Sequence, residues 1–185
     1  MRFIRKNMEQ KSQVIFDKNV AEFVTVAAEY CLFVENTGDK TRDQFIDTLL
    51  KVLPLLYVKA ALLPEVMPMS YEELETCVTE EDYAVISQRI SKLMADMDDY
   101  LDVFVEDMKY SDAPIRKCIS EDLTDIYQDL KNFIFSFKTG INDTMNDALA
   151  LCQEHFKDYW GQVLVNTMRP LHQIKYNSTD ENEGD

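Results

Sequence analysis

Four glycines and five prolines in 185 residues leave this chain few places to turn. Strand-rich folds reverse direction often and need many such positions, so the scarcity favours a few long elements. The apolar residues agree. From Val14 onward, Phe16, Val20, Phe23, Val24, Ala27, Cys31 and Val34 recur at helical spacing, and Asn36 to Asp39 ends that run, with Gly38 suited to a left-handed cap. Residues 1–13 are charged and without period, which predicts a frayed N-terminus.

Thr41 and Gln44 have the spacing of a capping box, which opens a second helix through Phe45, Ile46, Leu49 and Leu50. From Val52 to Leu63 nearly every residue except Lys59 is apolar, the pattern of a central helix buried all round. A membrane span needs roughly 20 such residues, so that reading fails. Pro54 should kink or break the helix. Pro64 to Met69 reads as a loop, and Ser70 with Glu73 as a capping box for a short helix through about Cys77. Thr79 starts a longer element. Tyr83, Ile86, Ile90, Leu93, Met97, Leu101, Phe104 and Met108 keep a helical period and predict one continuous helix in preference to two parted near Met97 to Asp99.

Tyr110 to Pro114 reads as a turn and Ile115 to Ile119 as a helical turn, after which Ser120 is placed to N-cap an acidic helix. Leu123, Ile126, Tyr127, Leu130, Ile134 and Phe137 form its apolar side, and Gly140 ends it. Asn142 is placed to cap the last helix. Its inner stripe is Leu149, Cys152, Phe156, Tyr159, Trp160, Val163, Thr167 and Leu171, interrupted by Gly161 and Pro170. The expectation is a single all-α domain over residues 14–175, an irregular bundle of about six helices around Val52 to Leu63. An acidic disordered tail over 176–185 follows.

Acids outnumber bases 34 to 19, for a formal charge of −15. Such a field repels phosphate backbones and anionic lipid, so neither nucleic acid nor a membrane is an expected partner. Basic proteins, polyamines and divalent cations are electrostatically welcome. The four cysteines form no C-x-x-C pair, and no apolar leader follows the basic first residues, which together point to a reducing cytoplasm.

Carboxylates gather in two places. Asp122, Asp125 and Asp129 lie at i, i+3 and i+7, on one helical face. Glu121 and Asp122 stand in the first turn, where the helix dipole favours negative charge, but Asp129 is two turns in. Asp99, Asp102 and Glu106 repeat the spacing, with Asp98 beside them. Such stripes are either solvated, or face a basic partner, or hold a hard cation such as Mg²⁺ or Mn²⁺ between two helices. All-α nucleotide pyrophosphatases use the last device through E-x-x-E and E-x-x-D. Here the pairs are Asp122 with Asp125 and Asp99 with Asp102, a departure from that pattern.

Other chemistry finds little support. There is no Walker loop, G-x-G-x-x-G, G-x-S-x-G or H-E-x-x-H. Neither His155 nor His172 has Glu three residues before it, which removes the di-iron bundle signature. His155 reads as a half-buried structural residue and His172 as a partner of the helix C-terminus. Cys118, after Arg116 and Lys117, is the best placed of four poor nucleophile candidates and reads as packing.

The run Ser120, Glu121, Asp122, Leu123, Thr124, Asp125, Ile126, Tyr127, Gln128, Asp129, Leu130, Lys131 is followed by Phe156, Tyr159, Trp160 and Gly161, then Leu171 and His172. Together they resemble the domain-of-unknown-function 5063 family of bacterial proteins. The likeness covers most of the chain, from the first helix to His172, with Glu121 where the pattern has Asp. It implies an all-helical, cytoplasmic, bacterial protein and no particular activity. It also implies that a shared function would sit at Asp122, Asp125, Tyr127, Asp129, Trp160, Gly161 and His172.

Two functions follow as expectations. The first is a non-catalytic interaction or adaptor module, without cofactor, whose acidic face meets a basic protein. The alternative is a hydrolase of a phosphorylated small molecule, using Mg²⁺ or Mn²⁺ held by Asp99, Asp102, Glu106, Asp122, Asp125 and Asp129. Oligomeric state is open.

Overall fold

The computed structural model describes residues 14–70, 73–102 and 115–177. These form an all-α bundle with one small two-stranded ladder. In chain order the elements are α1 (Lys18–Glu35), α2 (Arg42–Ala61), α3 (Glu80–Met94), β1 (Asp99–Leu101), β2 (Arg116–Cys118), α4 (Ile119–Phe137), α5 (Asn142–His155) and α6 (Gly161–Asn177). A π-helical stretch, Phe156–Trp160, joins α5 to α6. Among the described residues no helix is long and apolar enough to cross a membrane. The expected frayed segment 1–13, Tyr110 to Pro114, Glu106 and 178–185 lie outside the described residues. Of the expected tail, Tyr176 and Asn177 belong to α6.

Local chemistry starts the helices where the sequence places it. Asp17 accepts from the Asn19 amide ahead of α1. The Thr41 and Gln44 capping box opens α2, and Thr79 with Asp82 opens α3 in the same reciprocal way. Gly140 takes a positive φ of 71° after α4, conformational freedom that costs glycine little. Gly38, by contrast, does not adopt the left-handed backbone expected of it; Asn36 closes α1 at φ −110°.

The centre of the bundle is α4. Ile119, Leu123, Ile126, Tyr127, Leu130, Phe133 and Ile134 are all buried, and α1, α3, α5 and α6 pack around them. Tyr30 of α1 donates to the Leu123 carbonyl at 2.8 Å inside this core. The segment Val52 to Leu63 is therefore not central. Leu53, Leu56 and Ala60 are buried, but Leu55, Tyr57, Val58 and Leu62 are exposed on the outer side of α2. Apolar composition alone does not place a helix; the partners on each face do. Pro54 sits inside α2 without ending it.

Five further expectations give way, most of them to tertiary bonds. The helix from Thr79 stops at Met94, where Ala95 turns to φ 54°. Arg42 Nη1 takes the Met94 carbonyl at 3.2 Å, and the chain enters β1. Residues 116–118 form strand β2 and not a helical turn, pairing Asp99 with Cys118 and Leu101 with Arg116 in an antiparallel ladder. Ser120 is inside α4, so its cap comes from elsewhere: Asp98 accepts from the Ser120 amide at 2.8 Å and from its hydroxyl at 2.7 Å. Residues 73–77 form no helix, and Asn132 of α4 takes the amides of Cys77 and Val78 at 2.8 and 3.1 Å. Asn142 is the first residue of α5, one later than a cap.

The π-helical stretch explains Gly161. A Cβ at this position would lie 2.4 Å from the Phe156 carbonyl oxygen of the same helical run. Its wide turn lets Trp160 reach full burial and donate from Nε1 to the Cys152 carbonyl at 3.2 Å. Replacing Gly161 by Ala forces that turn to shift. A urea melt should show Gly161→Ala less stable by about 1–3 kcal/mol, the usual cost of overpacking. A variant as stable as the parent would show that the π turn relaxes freely.

Candidate functional site

Asp122, Asp125 and Asp129 do form one ladder along α4, but it is not an open solvated face. Each carboxylate accepts from neutral or ring donors on neighbouring elements. Asp122 is 4 % exposed and accepts from the Tyr100 hydroxyl of β1, with the Thr167 hydroxyl of α6 at 3.0 Å. Asp125 accepts from the Tyr83 hydroxyl of α3 at 2.7 Å on one oxygen and from the Tyr159 hydroxyl on the other. Asp129 lies 2.7 Å from His155 Nδ1. Among the described residues no lysine or arginine forms an ion pair with any of the three.

The register is simple. The chain running from His155 to Tyr159 passes α4 antiparallel, so one turn forward on it matches one turn back from Asp129 to Asp125. His155 thus acts as an acid's partner at the cleft, beyond the structural role its sequence neighbours suggest. Tyr159 is half exposed and leaves the core stripe in which it was counted.

Burial sets the electrostatics. It pushes the carboxyls of Asp122 and Asp129 above the ordinary aspartate range; the hydrogen bonds from Tyr100 and Thr167, and from His155, pull them back. Burial likewise raises the phenols of Tyr83, Tyr100 and Tyr159, and their carboxylate partners raise them further, so they stay protonated donors.

The second stripe does not survive as a stripe. A three-residue step that shares a helix face puts residues on opposite faces of a strand. Asp99 points outward to an ion pair with Arg116. Asp102 is 4 % exposed, 3.7 Å from Lys117 and 3.3 Å from Asn166. Glu106 lies outside the described residues. Among the described residues no group of three or more His, Cys, Asp and Glu is arranged to hold a metal ion. Cys118 is no activated thiol, because burial and Asp99 push it up to about 11.

The remaining candidates part company with the ladder. Tyr127 turns toward α1 and donates to Glu35 at 2.9 Å, beside Lys131, which pairs with the same carboxylate. Trp160 is fully buried, stacked near Phe23 and Phe156, and is core. His172 is exposed near the end of α6, its ring 4.6 Å from that of Tyr176. Tyr83, Tyr100, Thr167 and His155, which complete the ladder, carry no helical-period signal linking them to it. The antiparallel His155 and Tyr159 step is the one trace a sequence reader could have followed.

Two cavities meet at this site. An open cleft of about 370 Å³ is lined by Asp125, Gln128, Asp129, His155 and Tyr159. A narrower slot of about 80 Å³ runs behind it among Leu74, Phe133, Ala148, Leu151 and Cys152, and Asp129 and His155 line both.

Asp122→Asn tests the cost of this burial. Its folded pKa is raised, so the folded state holds the proton more tightly than the unfolded one. The stability this confers is full below the unfolded value of about 3.9 and is lost as pH rises through the folded value. Asn keeps an acceptor for Tyr100 and Thr167 without the charge. Urea melts from pH 4 to 7 should show the variant gaining on the parent as pH rises; a constant difference would show that the carboxylate is not desolvated.

No curated protein matches the chain. Among solved structures it is similar to protein BF1032 from Bacteroides fragilis, with 54 % identity and a TM-score of 0.80, over 89 % of this chain and 96 % of that one. The Domain of unknown function (DUF5063) family matches residues 14–177, the span that holds every element described above and the whole carboxylate ladder, and the chain belongs to that family.

Proposed function

We propose that this protein is a non-catalytic, cytoplasmic interaction module whose acidic cleft receives a basic segment of a partner protein. One observation carries the reading. Asp125 and Asp129 border an open cleft while their own partners are two phenols and an imidazole, not lysine or arginine. Some other acids meet the chain's own cations, as at Asp99 and Arg116 or Glu35 and Lys131, while Asp98 and Asp147 are held by backbone amides. The ladder keeps its charge in a molecule of formal charge −15, and that field steers cations toward it. Four unpaired cysteines accord with a reducing compartment.

The metal-dependent hydrolase reading has less behind it. Both oxygens of Asp125 already accept from phenols, and Asp122 is closed off beneath Tyr100 and Thr167. Asp99 and Asp102 answer to Arg116 and Lys117.

Polylysine is the direct probe. Binding measured by calorimetry should weaken steeply with salt, and a double variant, Asp125→Asn with Asp129→Asn, should bind about tenfold more weakly, roughly 1.4 kcal/mol. Equal binding by parent and variant would remove this face from consideration.

A further inference from the structure

We propose that the slot behind the cleft is a receptor for a single lysine side chain of the partner, taking its methylene stem while the ammonium rests on Asp129. This rests on the acidic-cleft reading and names the chemistry it recognises. Three features of the site lead to it.

The slot is built by small side chains. Ala148 and Cys152 stand one turn apart on α5, opposite Phe133 of α4, and leave a space that larger residues would fill. Leu74 and Leu151 add to a wall that is mostly apolar, with Glu75, Thr76, Asn132 and Ser136 on its polar part, so an alkyl chain displaces water favourably along the apolar part. At about 80 Å³ the slot is smaller than the roughly 150 Å³ of an apolar cavity that accepts benzene, which suits a methylene chain and not an aromatic ring.

Where the slot opens into the cleft its wall is charged. Asp129 and His155 line both the slot and the open cleft, so a stem in the slot brings its end group to the Asp129 carboxylate. Asp125 lies one turn along the same helix and adds its field.

The hydrogen bonds favour ammonium over guanidinium. A guanidinium fork seeks both oxygens of one carboxylate. Asp125 offers neither, since Tyr83 and Tyr159 occupy them, and Asp129 has one oxygen on His155. The other Asp129 oxygen accepts nothing from the described residues. An ammonium, a point charge, can use that single site.

The test is an NMR titration of the full chain, read at the His155 and Leu151 signals. The probes are Nα-acetyl-lysine methylamide, its homologues one and two methylenes shorter, and the form acetylated on Nε. Affinity should fall about fourfold for each methylene removed, and Nε-acetylation should abolish binding. Homologues of equal affinity, or an acetylated form that binds as well, would overturn the proposal. Ala148→Leu fills the slot and changes no charge. It should erase the dependence on chain length and weaken binding of Nα-acetyl-lysine methylamide to the level of its shorter homologues. Leu151→Trp, at the half-exposed rim, does the same should Ala148→Leu fail to fold. Polylysine binding to the parent protein with no chain-length dependence sinks the slot and leaves the acidic cleft standing. Absence of polylysine binding at low salt sinks both.

Discussion

Helix α4 carries three carboxylates into the packed part of the molecule, and everything around it answers to that. A buried acid without a hydrogen-bond donor is among the costliest things a fold can contain. The donors come from four separate segments: Tyr83 on α3, Tyr100 on β1, Thr167 on α6, and His155 with Tyr159 at the junction after α5. The ladder is thus the polar counterpart of the apolar core on the other side of the same helix. One face is held by burial of Leu123, Ile126 and Leu130, the other by hydrogen bonds. Asp98 adds the third constraint, since it caps α4 from outside and so holds the strand pair at its start.

The choice of donor decides what the ladder can do. A lysine or arginine would satisfy a carboxylate and cancel it. A phenol satisfies it and leaves the charge in place. The molecule does both: Asp99, Asp102 and Glu35 meet lysine or arginine, while among the described residues Asp122, Asp125 and Asp129 do not. Two chemically similar runs of acid in the sequence therefore have opposite meanings in the fold. The difference lies in what packs against them, and the π-helical turn is part of it. That turn, with Gly161 making room for the Phe156 carbonyl, seats Trp160 in the core while Tyr159, its neighbour, reaches Asp125.

Much of this architecture is legible in the residues, and the misreadings have a common cause. The capping box at Thr41, the helix start at Thr79, the stop at Gly140 and the ladder spacing of Asp122, Asp125 and Asp129 depend only on near neighbours, and they are found where expected. The continuous helix through Met97, the helix near Ser70 and the cap at Ser120 depend on bonds to distant partners. Arg42 closes α3, Asn132 holds the amides of Cys77 and Val78, and Asp98 takes the place of a local cap. The apolar run in α2 misleads for a related reason. Hydrophobicity says that a face can be buried, and only a neighbour makes it so; Leu55 and Val58 stay exposed.

By itself the sequence determined an all-helical chain, the ends of several helices and a row of acids on one of them, because each follows from interactions within a turn or two. It also carried the family likeness, through the run from Ser120 to Lys131. Only the tertiary structure decided that this row is sheltered by tyrosines and a histidine in place of lysines, that the second row begins in a strand at Asp99, and that a cleft with a slot behind it opens beside Asp129. Those outcomes depend on which residues far apart in the chain come to lie side by side. Helical periodicity describes one segment's faces and is silent on what meets them.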